Sequence, residues 1–341
     1  MITIDRRLVM ALALFGAAPL PVWACATCGC TVNTDAAMGY SSASGWRVNL
    51  DYTFIDQNQL RSGTGAASAA AVVNTPSNPA LGGGEIEKGT INRYLNLGVS
   101  YRPDANWNFN LQVPYVVRSH DTYGQQTTPY TAAETAPDQI SGAHVDSLGD
   151  AKLIVNWQGL LPTHNLGFQL CLKLPTGPYN TSVNFNTGPN AGTPLDASLQ
   201  AGTGSTDLIL GGYYFQPVSQ DFDAFATVQF QSALWHKLNQ PGNDFRPGNT
   251  ATVSVGLRYE AHPDIMPQLQ VNLFRKNADQ GALADYPDTA GTVVYISPGL
   301  TVMLPAGTQL YAVLQVPAYS NLSGYQLFPH WTGTVGLSHA F

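Results

Sequence analysis

Between Trp46 and Ile55 the chain alternates without a break: Trp46, Val48, Leu50, Tyr52 and Phe54 are apolar or aromatic, and Arg47, Asn49, Asp51 and Thr53 between them are polar. A period of two sends successive side chains to opposite faces of a strand, so one face meets something apolar and the other stays wet. A helix is excluded, because its 3.6-residue period would scatter the apolar positions around the axis. About ten residues is also the length of a tilted strand that crosses a bilayer. The pattern returns at residues 91–102 and 107–118, where Leu95, Leu97, Val99 and Tyr101, then Trp107, Phe109, Leu111, Val113 and Tyr115, share the apolar face.

Further strands are expected at residues 149–157, 166–176, 205–215, 222–234, 250–260, 266–275, 292–304, 308–319 and 329–341, about twelve in all. The connections alternate. Long stretches start at Asp56, Ser119, Gly177, Trp235, Lys276 and Ser320, and short turns fall at residues 103–106 and around Pro162, Pro217, Pro263 and Pro305. This implies an all-β fold: a closed antiparallel transmembrane β-barrel of about 12 strands with short periplasmic turns and long extracellular loops, in the outer membrane of a Gram-negative bacterium. The competing fold, a soluble two-sheet sandwich or barrel, has no room inside for the apolar face of so many ten-residue strands.

Composition fits a chain that faces lipid. Only 11% of the residues are charged, against roughly 25% in an average soluble domain, while 44% are hydrophobic, which excludes disorder. The formal net charge of −7 gives nucleic-acid binding no electrostatic support. A helical membrane protein would need apolar runs of about 18 residues. The one sustained apolar run, residues 8–18, follows Arg6-Arg7 and precedes Pro19, Pro21 and Val22-Trp23-Ala24, the layout of a secretory signal peptide. The expected organisation is a signal peptide at 1–24, a periplasmic cysteine-containing segment at 25–45 and the barrel at 46–341, with both termini periplasmic. The chain stops at aromatic Phe341, on the face of Val335, Leu337 and His339, which makes the barrel-assembly machinery an expected partner beside outer-membrane lipid.

Several short segments recur in a recognisable order: Leu111-Gln112-Val113-Pro114-Tyr115, Leu148-Gly149-Asp150, Leu172-Lys173-Leu174-Pro175-Thr176-Gly177, the run from Leu199 to Asp207, Arg246-Pro247-Gly248 and Leu314-Gln315-Val316-Pro317. Together they resemble the outer-membrane barrel family named for the meta-cleavage pathway of phenol degradation, over nearly all of the chain after residue 24. The resemblance implies a channel or transporter for small solutes, hydrophobic or aromatic compounds among them. A proline in the two Leu-Gln-Val-Pro segments removes an N–H and is expected to end ladder pairing or force a bulge.

Strand parity assigns the lumen side to neutral amides, among them Asn49, Asn92, Asn96, Gln112, Gln169, Gln268, Gln270 and Asn272, a lining without strong ion selectivity. Asp150, Lys173 and Asp207 share lumen parity and similar height, and with Lys152 and Arg258 they are the candidates for a constriction. The bland alternative is a set of lumen salt bridges holding neighbouring strands. Cys25, Cys28 and Cys30 lie within six residues and can offer thiolates to a thiophilic metal, Cu or Zn. A disulfide, or lipidation of Cys25, accounts for them as well. Cys171, mid-strand with lumen parity, is either a small inert side chain or a fourth partner for that segment.

An enzyme is not expected. Ser232 and His339 fall near opposite ends of their strands, and no pair of histidines has ligand-like spacing. The function expected is a channel for small solutes through an amide-lined lumen. The alternative is a barrel scaffold for periplasmic metal binding or electron transfer through the N-terminal cysteines, and a third possibility is an interaction barrel whose long loops bind a surface partner.

Overall fold

The computed structural model describes residues 44–69, 86–123, 140–180 and 183–341. Among these residues the fold is almost wholly β, with single turns of 3-10 helix, and forms a closed antiparallel barrel. Leaving aside three two-residue strands in the loops, the strands in chain order are β1 (Gly45–Gly63), β2 (Ile86–Arg102), β3 (Trp107–Tyr123), β4 (Ile140–Leu148), β5 (Ala151–Trp157), β6 (Leu166–Leu174), β7 (Phe185–Thr187), β8 (Ser205–Pro217), β9 (Phe222–His236), β10 (Thr250–Tyr259), β11 (Ile265–Lys276), β12 (Gly291–Leu304) and β13 (Thr308–Ala340). β4 and β5 are two halves of one barrel strand, both paired to β3, and β7 is a short addition to β4. Every other strand pairs with its neighbours in the chain, and β1 pairs with β13, so the sheet closes on itself with eleven continuous runs around its circumference.

The last run is unusual in length. β13 spans 33 residues, yet its ends meet, since the Ala340 N–H donates to the Gly307 carbonyl at 3.1 Å. It therefore doubles back. Gly324 sits at the reversal with φ +48°, a left-handed conformation that costs a glycine little. Its first half pairs with β12 and its second half with β1. The polar stretch after Ser320, expected as a loop, is thus largely paired. Pro317 lies at a register shift against β12, where Tyr295 faces Pro317 and Val294 faces Tyr319. The missing N–H is accommodated by the bulge.

The faces are inverted relative to a water-soluble barrel. On β1, Leu50 is 43% exposed outward while Asn49, Asp51 and Thr53 are buried inward. The same holds round the barrel, with Leu97, Leu170, Val228, Leu269 and Val335 outside and Asn92, Gln169, Thr227, Gln270 and Thr334 inside. Aromatic rings line the end where the short turns lie: Trp46 meets Tyr101 with centroids 4.7 Å apart, Trp157 lies between Trp107 and Phe168, and Phe222 meets Tyr259 at 5.3 Å. Phe341 ends at the same edge, its N–H donating to the Trp46 carbonyl at 2.9 Å.

Candidate functional site

Pro114, in mid-β3, pairs with Asn96 of β2 but has no N–H to offer on its other side. There the partner strand is interrupted: β4 ends at Leu148, β5 begins at Ala151, and Gly149 between them donates its N–H to the Pro114 carbonyl at 2.8 Å. The interruption releases Asp150 from the ladder into the lumen. Its Oδ1 accepts the Gly177 N–H at 3.1 Å, and its Oδ2 accepts the Thr203 N–H at 2.9 Å and the Thr203 hydroxyl at 3.0 Å. Those donors can come so near because three glycines meet. A Cβ on Gly177 would stand 3.0 Å from the Gly149 backbone and from the Gly202 Cα, and one on Gly202 would stand 2.6 Å from the Gly177 carbonyl oxygen.

Lys173, opposite Asp207 in the β6–β8 ladder, bridges the two carboxylates at 3.3 Å from Asp150 Oδ2 and 3.0 Å from Asp207 Oδ2. It also donates to Ser205 Oγ at 3.1 Å and to Thr203 Oγ1. Asp207 accepts in addition from the Ser205 hydroxyl at 2.6 Å and from Gln231 Nε2 at 2.5 Å. All three charged groups are almost wholly withdrawn from solvent. A buried ion pair offsets its desolvation only when its remaining lone pairs and protons are satisfied, and here they are.

A second cation holds a loop across the lumen. Arg118 of β3 donates from Nε to Asn92 Oδ1 at 2.5 Å, from Nη2 to the Tyr94 hydroxyl at 2.9 Å, and from Nη1 to the carbonyls of Leu199 and Gln200. The segment it grips contains a 3-10 turn, Ala197–Leu199. Leu195 and Leu199 pack on Ala143, Val145 and Phe185, and Ala197 packs on Phe245 and Ala284 from other loops. The turn is thus anchored on two sides of the barrel at the end where the long loops lie. Beneath it is a cavity of about 270 Å³, lined by the ionic group, Lys152, Arg118, Gln112 and Ile209 among others.

Sequence expectation and structure differ for Arg258. It sits at the short-turn end of β10, bonded to Asp223 at 3.4 Å and Glu260 at 2.5 Å, and takes no part in the Asp150 group at the other end. Parity gave its face correctly, but height is set by strand direction, and β10 runs away from the long-loop end. Lys152 lines the cavity. Cys171 is buried with a free thiol and packs with Ile154 and Ile209. Cys25, Cys28 and Cys30 lie outside the described residues. His120 bonds Thr90 and lies 3.4 Å from Glu87 inside the barrel, whereas His144 is exposed beside Ser119.

Sequence comparison is silent: no protein-family model and no curated protein matches the chain. Structure comparison is not. An outer membrane channel from Pseudomonas putida F1 superposes with a TM-score of 0.62 at 11% identity, over 91% of this chain and all of that one. The β domain of the Bordetella autotransporter BrkA overlaps at a TM-score of 0.47 and 12% identity, covering 88% of this chain and all of that one. The toluene transporter TbuX of Ralstonia pickettii overlaps at 0.44 and 10% identity, covering 90% of this chain and 92% of that one. The last two superpose too loosely to bear on the argument. The first shows the fold, that of an outer-membrane barrel.

The segments that carried the resemblance now have a common location. Gln112, Pro114, Asp150, Lys173, Gln200, Thr203, Asp207, Pro247 and Gly248 come from five of them and line this one cavity. Arg118, three residues beyond the first segment, was not singled out from the sequence, because its carbonyl partners lie about 80 residues away. The signal it offered was an arginine with lumen parity in a strand whose other lumen positions begin Asn108, Asn110 and Gln112.

Proposed function

We propose that the chain is an outer-membrane channel for small solutes, hydrophobic or aromatic ones among them, which pass along the amide-lined lumen. The carrying observation is the inverted barrel with a cavity inside it: large apolar side chains outside, polar ones within. Leaving a Leu- or Phe-sized side chain in water forgoes about 1.5–3 kcal/mol, so a belt of them around a closed sheet calls for lipid as the outer solvent. The aromatic row at the short-turn edge fits a membrane interface. With the reversal of the last run counted as two strands, the total is even, which supports a reading with both ends of the barrel sequence periplasmic, beside the short turns. Asp150, Lys173 and Asp207, with Lys152 beside them, form the constriction, and the likeness to a known outer membrane channel supports the reading.

The test is reconstitution. Purified protein in planar bilayers is expected to conduct, and proteoliposomes are expected to admit benzyl alcohol and benzamide faster than protein-free vesicles. Silent bilayers together with uptake no faster than the blank would overturn the channel.

A further inference from the structure

The cavity holds three cations, and two of them are fully engaged. Every donor group of Arg118 has a partner in Asn92, Tyr94 or the loop carbonyls, and Lys173 is shared between two carboxylates and two hydroxyls. Lys152 is different. It lines the cavity half-buried and makes no hydrogen bond or ion pair among the described residues. Its neighbours in the ladders are Gln112 on one side and Lys173 on the other. Like charges directly opposite in a sheet repel, and a half-buried ammonium without a counter-ion is costly. The excess negative charge of the Asp150/Lys173/Asp207 group acts on Lys152 only at a distance, because both carboxylates are already saturated by other donors.

Part of the cavity wall is apolar. Ile209, Val116 and Pro114 line it, and Ile209 is backed by Cys171 and Ile154 in a buried cluster. One unspent cation next to an apolar patch recognises an amphiphile with an anionic head. The volume agrees: an apolar cavity of about 150 Å³ takes benzene, so about 270 Å³ has room for a single ring, a carboxylate and water.

We infer that this cavity is a binding site for small organic monoacids, with the carboxylate on Lys152 and the Gln112 amide and the hydrocarbon body against Ile209, Val116 and Pro114. The inference rests on the channel reading and narrows its solutes to a class. An uncharged isostere leaves the ammonium unpaired in the site, which is the strongest form of discrimination a polar pocket offers.

The experiment compares benzoate with benzamide, which have similar shape and differ in charge, using proteoliposomes of the wild-type channel. A faster benzoate flux is expected, a demanding outcome for a chain of net charge −7. Lys152→Gln is expected to lower the benzoate-to-benzamide ratio roughly tenfold, the size of one lost charge-assisted hydrogen bond, and Lys152→Arg to restore most of it. Equal fluxes in the wild type overturn the inference by themselves, whether or not the variants fold, and leave the channel standing. A ratio that Lys152→Gln does not change overturns the assignment to Lys152. Absence of both fluxes in the wild type, with silent bilayers, is the separate failure of the channel reading.

Discussion

Two parts of the lumen wall use polar side chains in opposite ways. At β5, β6 and β8, Asp150, Lys173 and Asp207 are charged, withdrawn from solvent and bonded through every carboxylate oxygen and the ammonium. At β11, Gln268 and Gln270 are neutral, equally buried, and neither the oxygen nor the nitrogen of either amide has a hydrogen-bond partner among the described residues. Asn272, next on the same face, bonds Ser297 through its nitrogen at 2.7 Å and leaves its oxygen unused. Saturated charges fix the chain in place, because removing any one strands the others. The unbonded amides fix nothing, since their loss would strand no partner.

The sharpest way to break this contrast is Lys173→Met. It leaves two buried carboxylates facing one another, and about 3–5 kcal/mol of stability is expected to go, measured by urea unfolding of the barrel in detergent. A loss under about 1 kcal/mol would mean that the ionic group is not a clamp. Next comes Gly202→Ala, whose Cβ would press on the Gly177 carbonyl and on Asp150 Oδ1, 2.7 Å away. About 1–3 kcal/mol is expected from that overpacking, together with larger current fluctuations as the Ala197–Leu199 turn loosens.

A smaller effect is expected from pH at the loops. Burial, then the neighbouring carboxylates of Asp288 and Asp196, pushes Asp285 up to about 8. A carboxyl raised in the folded protein contributes its stability fully below its ordinary value near 4, and that contribution is lost as pH climbs through the raised value. Protease cleavage in residues 277–290 is therefore expected to speed up between about pH 4 and pH 8, and Asp285→Asn to flatten the profile. The smallest change belongs to the other wall. Gln270→Leu strands no partner, so stability is expected to shift by less than about 1 kcal/mol, while single-channel conductance changes. A loss as large as that of Lys173→Met would erase the distinction between the walls.

Much of this was legible in the chain because a barrel strand writes its two solvents into alternate residues. Trp46 to Phe54 reads as a two-faced strand with no other information, and parity alone put Asp150, Lys173 and Asp207 on one face. What parity does not carry is height and partner. Arg258 has the right face and the wrong end. Ile140–Leu148 was missed as a strand because its contrast runs the other way from the barrel rule, with Ala143 and Val145 inward and His144 and Asp146 outward. The reversal at Gly324 hides in Ser-Gly-Tyr, a sequence equally at home in a long loop. The grip of Arg118 on Leu199 and Gln200 belongs to tertiary structure alone, since nothing local to either segment announces the other.

The three-glycine meeting at Gly149, Gly177 and Gly202 also bears on the order in which the barrel can be built. Asp150 and Thr203 are 53 residues apart in the chain, whereas Thr53 and Thr334, which join β1 to β13 at 2.9 Å, are 281 apart. Closing the longer loop costs roughly 1.5 kcal/mol more chain entropy, and contacts of low separation form first. The clamp can therefore be complete while the two ends of the sheet are still apart. The ionic group is then already shaped when the closing seam wraps around it.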